Sequence, residues 1–170
     1  MRYNVPLIAQ PTPESCWAAA LAMIVSWSDP TRNYSPYDIN AQVPNKTLFA
    51  NGASTRELLE IYLLFEMVAE PPVNFPELKF LALLQQYGPL FVATFDFGSP
   101  HAVVVTGLDA DPNPDKATVY INNPCDGLKP PFTAVAETLS YTEFNSNLEI
   151  LVQKIEREQS DAFIAHRKAM

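Results

Sequence analysis

Basic side chains are scarce in this sequence: 11 Lys plus Arg stand against 19 Asp plus Glu, a net charge of -8 over 170 residues. That balance lacks the cationic surface that grips phosphate or anionic lipid, so neither nucleic acid nor a membrane is expected as a partner. Cysteine is equally sparse, and two are too few for a disulfide framework, which suits a reducing cytosol. Five glycines against sixteen prolines favour rigid loops over long regular elements. The longest apolar run, Cys16 to Val25, is too short to span a bilayer. Met1-Arg2-Tyr3-Asn4 leading into Val5-Pro6-Leu7-Ile8-Ala9 does not read as a signal peptide. A cytoplasmic protein is expected, or one secreted by a leaderless route.

With 48% hydrophobic and 18% charged residues, the chain has an ordinary globular balance, and its length suits one domain. The charged stretch Ile155 to Met170 is expected as a peripheral tail, a frayed helix at most. Cys16 to Trp27 carries one polar residue, Ser26, and its alanines and leucine predict a helix buried on all sides, with Ser15 at the N-cap. Ser35-Pro36 starts a short helix leading to Val43. Ser54-Thr55-Arg56-Glu57 is a capping box, followed by a helical stripe of Leu58, Ile61, Tyr62, Phe65 and Val68. Another helix runs from near Pro76 to Gly88, its stripe read as Leu78, Leu81, Ala82 and Gln85. The period then changes: Pro89–Phe95, His101–Gly107 and Thr118–Asn123 read as strands, with Asn147–Lys154 a candidate fourth. Helices first and closely spaced strands second predict an α+β fold with an antiparallel sheet.

The chemistry concentrates in Gln10-Pro11-Thr12-Pro13-Glu14-Ser15-Cys16-Trp17. A cysteine in the first turn of a helix lies at the positive end of the dipole, beside unpaired N–H groups, a setting that favours thiolate. The same amides can serve an oxyanion, and Gln10, across a proline-stiffened turn, offers a second donor. A thiolate nucleophile needs an imidazole. Of two histidines, His166 lies in the charged tail, whereas His101 opens an apolar strand and is the better candidate. Asn122-Asn123-Pro124, at the end of the next strand, offers an acceptor for its second ring nitrogen.

Gln-x5-Cys-Trp at a helix start, His at a strand start and Asn before Pro one strand later resemble a papain-like cysteine peptidase. The resemblance spans roughly Val5 to Lys154 and is strongest to compact bacterial members, the effector proteases of plant pathogens. It extends more distantly to the bacteriocin-processing peptidase domains of ABC exporters. It implies Gln10 as the oxyanion-hole side chain, Cys16 as nucleophile, His101 as general base and acid, and Asn123 as its orienting partner. It implies no metal or organic cofactor, and a protein or peptide substrate. Pro13-Glu14-Ser15 stands where the larger papain enzymes have Cys-Gly-Ser, which separates the chain from the lysosomal branch. Exporter peptidases usually carry a small residue at the position of Trp17, and many compact relatives have Asp at that of Asn123.

The expected activity is therefore thiol endopeptidase, in a bacterial effector or toxin with a possible cognate inhibitor or immunity protein. Two rivals stand beside it. The same residues would serve an amidase, deamidase or acyl transferase, for example on peptidoglycan. A catalytically silent binding module on the same fold is the other.

Overall fold

The computed structural model describes residues 1–70, 75–96, 99–127, 129–148 and 164–167. Its first helix, α1 (Cys16–Ser28), buries every residue from Trp17 to Ser26. Ala18, Ala19, Ala20 and Ala22 have no exposed surface, so the helix backbone lies close to its neighbours. Ser15 occupies the cap position without capping. Its φ of -99° and ψ of 19° are not extended, and its hydroxyl closes the preceding turn, accepting from Thr12 N and donating to Thr12 O at 3.0 Å each.

Both other start signals hold. Ser35 and Asp38 form a capping box at α2 (Pro36–Gln42), and Ser54 and Glu57 form another at α4 (Thr55–Leu64). Between them a single turn, α3 (Leu48–Asn51), was not foreseen; it closes on Gly52. The stripe through Val68 overruns the helix: α4 ends at Leu64, Glu66 takes a φ of 56°, and the chain enters β1 (Met67–Glu70). Helix α5 (Glu77–Tyr87) stops at Gly88 as expected, but presents a different face. Phe80, Leu83 and Leu84 point inward, while Leu78 is 74% exposed. Two overlapping apolar stripes compete here. The one carrying the aromatic ring wins, because Phe80 packs edge-on against Phe75, Tyr141 and Phe144.

The strands β2 (Leu90–Asp96), β3 (Ser99–Asp109), β4 (Thr118–Asn123), β5 (Val135–Ser140) and β6 (Ile164–Arg167) join β1 in one antiparallel sheet. Its order is β1-β6-β2-β3-β4-β5. Two expectations are corrected. The fourth strand of the β2–β3–β4 run is Val135–Ser140; residues 141–148 form a helix, α6, and 149–154 lie outside the described residues. In the stretch expected as a frayed tail, residues 164–167 form β6, pairing with both β1 and β2. One face of the sheet, with Phe91, Ala102 and Val104, packs on α1 and its helical neighbours. The other, with Leu90, Val92, Val103, Val105, Val119 and Ile121, packs on α5 and α6. This is the α+β architecture expected, with helices on both faces.

The N-terminal segment is threaded along the sheet. Tyr3 N donates to Thr106 O at 2.8 Å, and Gly107 is required beneath it, since a Cβ there would lie 2.3 Å from the Met1 carbonyl oxygen. Further on, Val5 O accepts from Asn122 Nδ2 at 3.1 Å, and Gln10 N donates to Pro124 O at 3.0 Å. These bonds bring the segment before α1 to the end of β4.

Candidate active site

That threading opens a cleft of about 660 Å³ between the helical half and the sheet. Gln10, Cys16 and Trp17 line it from the α1 side, and His101 and Ala102 from β3. Four residues singled out in the sequence are thus brought to one cavity, although His101 follows Cys16 by 85 positions. His101 Nε2 lies 2.9 Å from Asn123 Oδ1. An amide oxygen only accepts, so this bond places the proton on Nε2 and leaves Nδ1 as the ring's basic nitrogen. Asn123 Oδ1 also accepts from Cys125 N at 3.0 Å, and Asn123 Nδ2 donates to Glu137 Oε1 at 3.2 Å. Asn122 faces the other way, toward Val5 O. Neighbours on a strand point to opposite sides, and here one asparagine meets the histidine while the other fastens the N-terminal segment.

A family model described as papain-like cysteine protease AvrRpt2 matches residues 1–149. The chain belongs to this family of papain-like cysteine proteases. Among solved structures, the peptidase domain of Streptococcus ComA, a bi-functional ABC transporter involved in a quorum-sensing pathway, shares the protease's fold. It has a TM-score of 0.54 and 17% sequence identity, and the match covers 95% of this chain and 96% of that one. No curated protein matches the chain.

In this papain-like protease the electrostatics at Cys16 are a contest. Burial pushes the Cys16 thiol up to about 11, and the Glu14 carboxylate adds to the rise. Backbone hydrogen bonds from Ala102, Trp17 and Cys16 itself pull the other way. The amides anticipated at the helix start are there, but desolvation outweighs them. Contact with the Ala102 backbone places the sulfur beside the residue that follows His101. The Tyr62 phenol, buried without a hydrogen-bond partner among the described residues, is also pushed up, by burial and by Cys16.

Gln10 is buried, and its Nε2 donates to Thr12 O at 3.0 Å and Pro13 O at 3.1 Å. Its Oε1 has no partner among the described residues. Trp17 serves as both cleft wall and core: the residue is 2% exposed and its Nε1 donates to Leu48 O at 3.3 Å. Cys125 lines the cleft as a buried thiol, its sulfur set against the Gly127 backbone. The other histidine, His166, lies on β6 opposite Val68.

Sequence reasoning missed Glu14 and Glu57 as cleft residues, and Glu137 as the partner of Asn123. Glu57 was legible only as a helix cap, and Glu137 sits on a strand that the periodicity did not reveal. Among the described residues no helix is long and apolar enough to cross a membrane, and no group of three or more His, Cys, Asp or Glu could hold a metal ion.

Proposed function

We propose that the protease is an endopeptidase with Cys16 as nucleophile, His101 as general base and acid, and Asn123 as the residue that orients the imidazole. The observation that carries this reading is the 2.9 Å bond from His101 Nε2 to Asn123 Oδ1, at the wall of the cleft that Cys16 opens into. His101 Nδ1 takes the Cys16 proton, and the resulting imidazolium offsets the cost of charging a buried sulfur. The thiolate attacks the peptide carbonyl carbon, and the carbonyl oxygen becomes an oxyanion. The Cys16 backbone N–H supplies one donor to it. Gln10 supplies the second by exchanging one of its bonds to Thr12 O or Pro13 O for the oxyanion, a charge-assisted and therefore stronger acceptor. Collapse of the intermediate breaks the C–N bond, and His101 returns the proton to the leaving amine. Water, deprotonated by His101, then hydrolyses the thioester and restores the thiol.

Incubation with a peptide library and with purified cell wall, side by side, tests this. Peptide hydrolysis lost in Cys16→Ala and in His101→Ala supports the reading. Release of cell-wall fragments without peptide cleavage, or hydrolysis that survives both substitutions, overturns it. The AvrRpt2 family match and the resemblance to plant-pathogen effectors support a role as a bacterial effector or toxin, and a cognate immunity protein is the restraint such a role would need in the producing cell. Recovery of a tight stoichiometric inhibitor from the producing cell is the test of that restraint.

A further inference from the structure

Asn123 is more fully committed than an orienting asparagine needs to be. Its oxygen accepts two N–H groups, from His101 and Cys125, and its nitrogen donates to the Glu137 carboxylate. The three side chains His101, Asn123 and Glu137 come from three successive strands, β3, β4 and β5. Register makes this possible. Asn123 stands opposite Val135 and Ile121 opposite Glu137, so Glu137 is the diagonal neighbour of Asn123 on one face of the pair. A carboxylate can only accept, so the amide group facing it must be the NH₂. That leaves the oxygen for the imidazole.

We propose that Glu137 is a positioning residue of the active site, which holds the Asn123 amide with its oxygen on His101 and lends a negative charge to the imidazolium formed when Cys16 is deprotonated. The inference rests on the catalytic roles proposed above for Cys16 and His101. In this arrangement a carboxylate still stands behind the histidine, but one amide further out. The distance weakens its field, and exposure lets salt screen it. The other titratable groups on the cleft with His101 are Cys16, Cys125, Glu14 and Glu57. Glu14 and Glu57 come from the helical half, whereas Glu137 stands behind the ring on the sheet, tied to it through Asn123.

The charge and the hydrogen bond are separable. Glu137→Gln keeps an acceptor for Asn123 Nδ2 and removes the charge; Glu137→Ala removes both. The probe is iodoacetamide alkylation of Cys16 near neutral pH, in a Cys125→Ser background, at low salt and at about 1 M NaCl. Relative to the parent, Glu137→Ala is expected to slow labelling about tenfold at both salts. Glu137→Gln is expected to slow it about threefold at low salt and to match the parent at high salt, where charge is screened. Melting temperatures near the parent's would exclude a general loss of fold, since Glu137 is exposed on β5. Labelling of Glu137→Ala within twofold of the parent at both salts overturns the inference. If the parent's labelling is itself indifferent to His101→Ala, it is the proposed catalytic pair that fails, and the two failures are told apart.

Discussion

Removing the imidazole should expose the cost of burying the nucleophile. Burial and Glu14 push the Cys16 thiol up to about 11 with no imidazolium charge among the causes, so a His101→Ala enzyme, left with those causes alone, is expected to stand about four pH units below its midpoint at pH 7. Its thiolate fraction is then on the order of one in ten thousand. The parent, pairing thiolate with imidazolium, carries a far larger fraction at the same pH. The rate ratio should be smaller than the population ratio. A thiolate of higher pKa is the better nucleophile, with a Brønsted slope of about 0.4–0.5, which returns roughly two decades. Slower labelling by about a hundredfold at pH 7 is therefore expected. The midpoint is the cleaner reading, being independent of intrinsic reactivity. In a Cys125→Ser background, iodoacetamide labelling followed from pH 5 to 11 should give His101→Ala a single rise near the top of the range. The parent should already label well below the ordinary thiol midpoint of about 8.5. Superimposable curves for parent and His101→Ala would refute the ion pair and the argument built on it.

The two adjacent asparagines should behave oppositely in activity. Asn123→Ala removes the His101 partner and should cut kcat/KM about 10- to 100-fold, whereas Asn122→Ala, which strips the bond to Val5 O, should leave kcat/KM near the parent's. Each should cost about 1–3 kcal/mol of stability in denaturant titration, since Asn123→Ala also orphans the buried Cys125 N–H. At Gly88, φ is 81° and ψ -150°, and an added Cβ would lie 2.3 Å from the Trp27 ring. Gly88→Ala should therefore destabilise by more than about 2 kcal/mol, visible as a lowered melting temperature. Ser54→Ala removes the cap of α4 and should cost about 0.5–2 kcal/mol by chemical denaturation, with Glu57, its capping-box partner, freed beside the cleft.

What could be read in advance followed physical strength. Helix α1 was legible because ten consecutive residues are buried, so no face had to be guessed. The helix start at Ser35-Pro36 and the capping box at Ser54 were legible because they are local, needing nothing beyond four residues. Strands β2 to β4 announced themselves through β-branched runs. The face of α5 was misjudged because Leu78 and Phe80 start competing stripes, and only the tertiary cluster around Phe80 chooses between them. β1 and β6 are four residues each and β5 is largely exposed, so long-range pairing rather than propensity creates them; Met67 finds its partner in Arg167. Within the site, Cys16 and His101 stood out as rare residue types in telling places. Choosing between Asn122 and Asn123 required the pleat of β4, and Glu137 required the register of β5.

The alanine cladding of α1 makes the enzyme a gauge of its own interior. Methyl-sized side chains cannot swing aside as a leucine or methionine can, so any swelling at that interface is passed on as displacement of the whole helix. The sulfur rides on the first residue of that rod, while the imidazole is fixed to the strand beneath. One extra branch at Ala20, which has no exposed surface, would thus be read out as a mismatch within the proposed pair of Cys16 and His101. Proton transfer and attack tolerate such an offset poorly, and about 1 Å can cost a hundredfold in rate. Chemistry should fail while the fold still stands, which makes turnover a finer caliper of interlayer spacing than any melting curve.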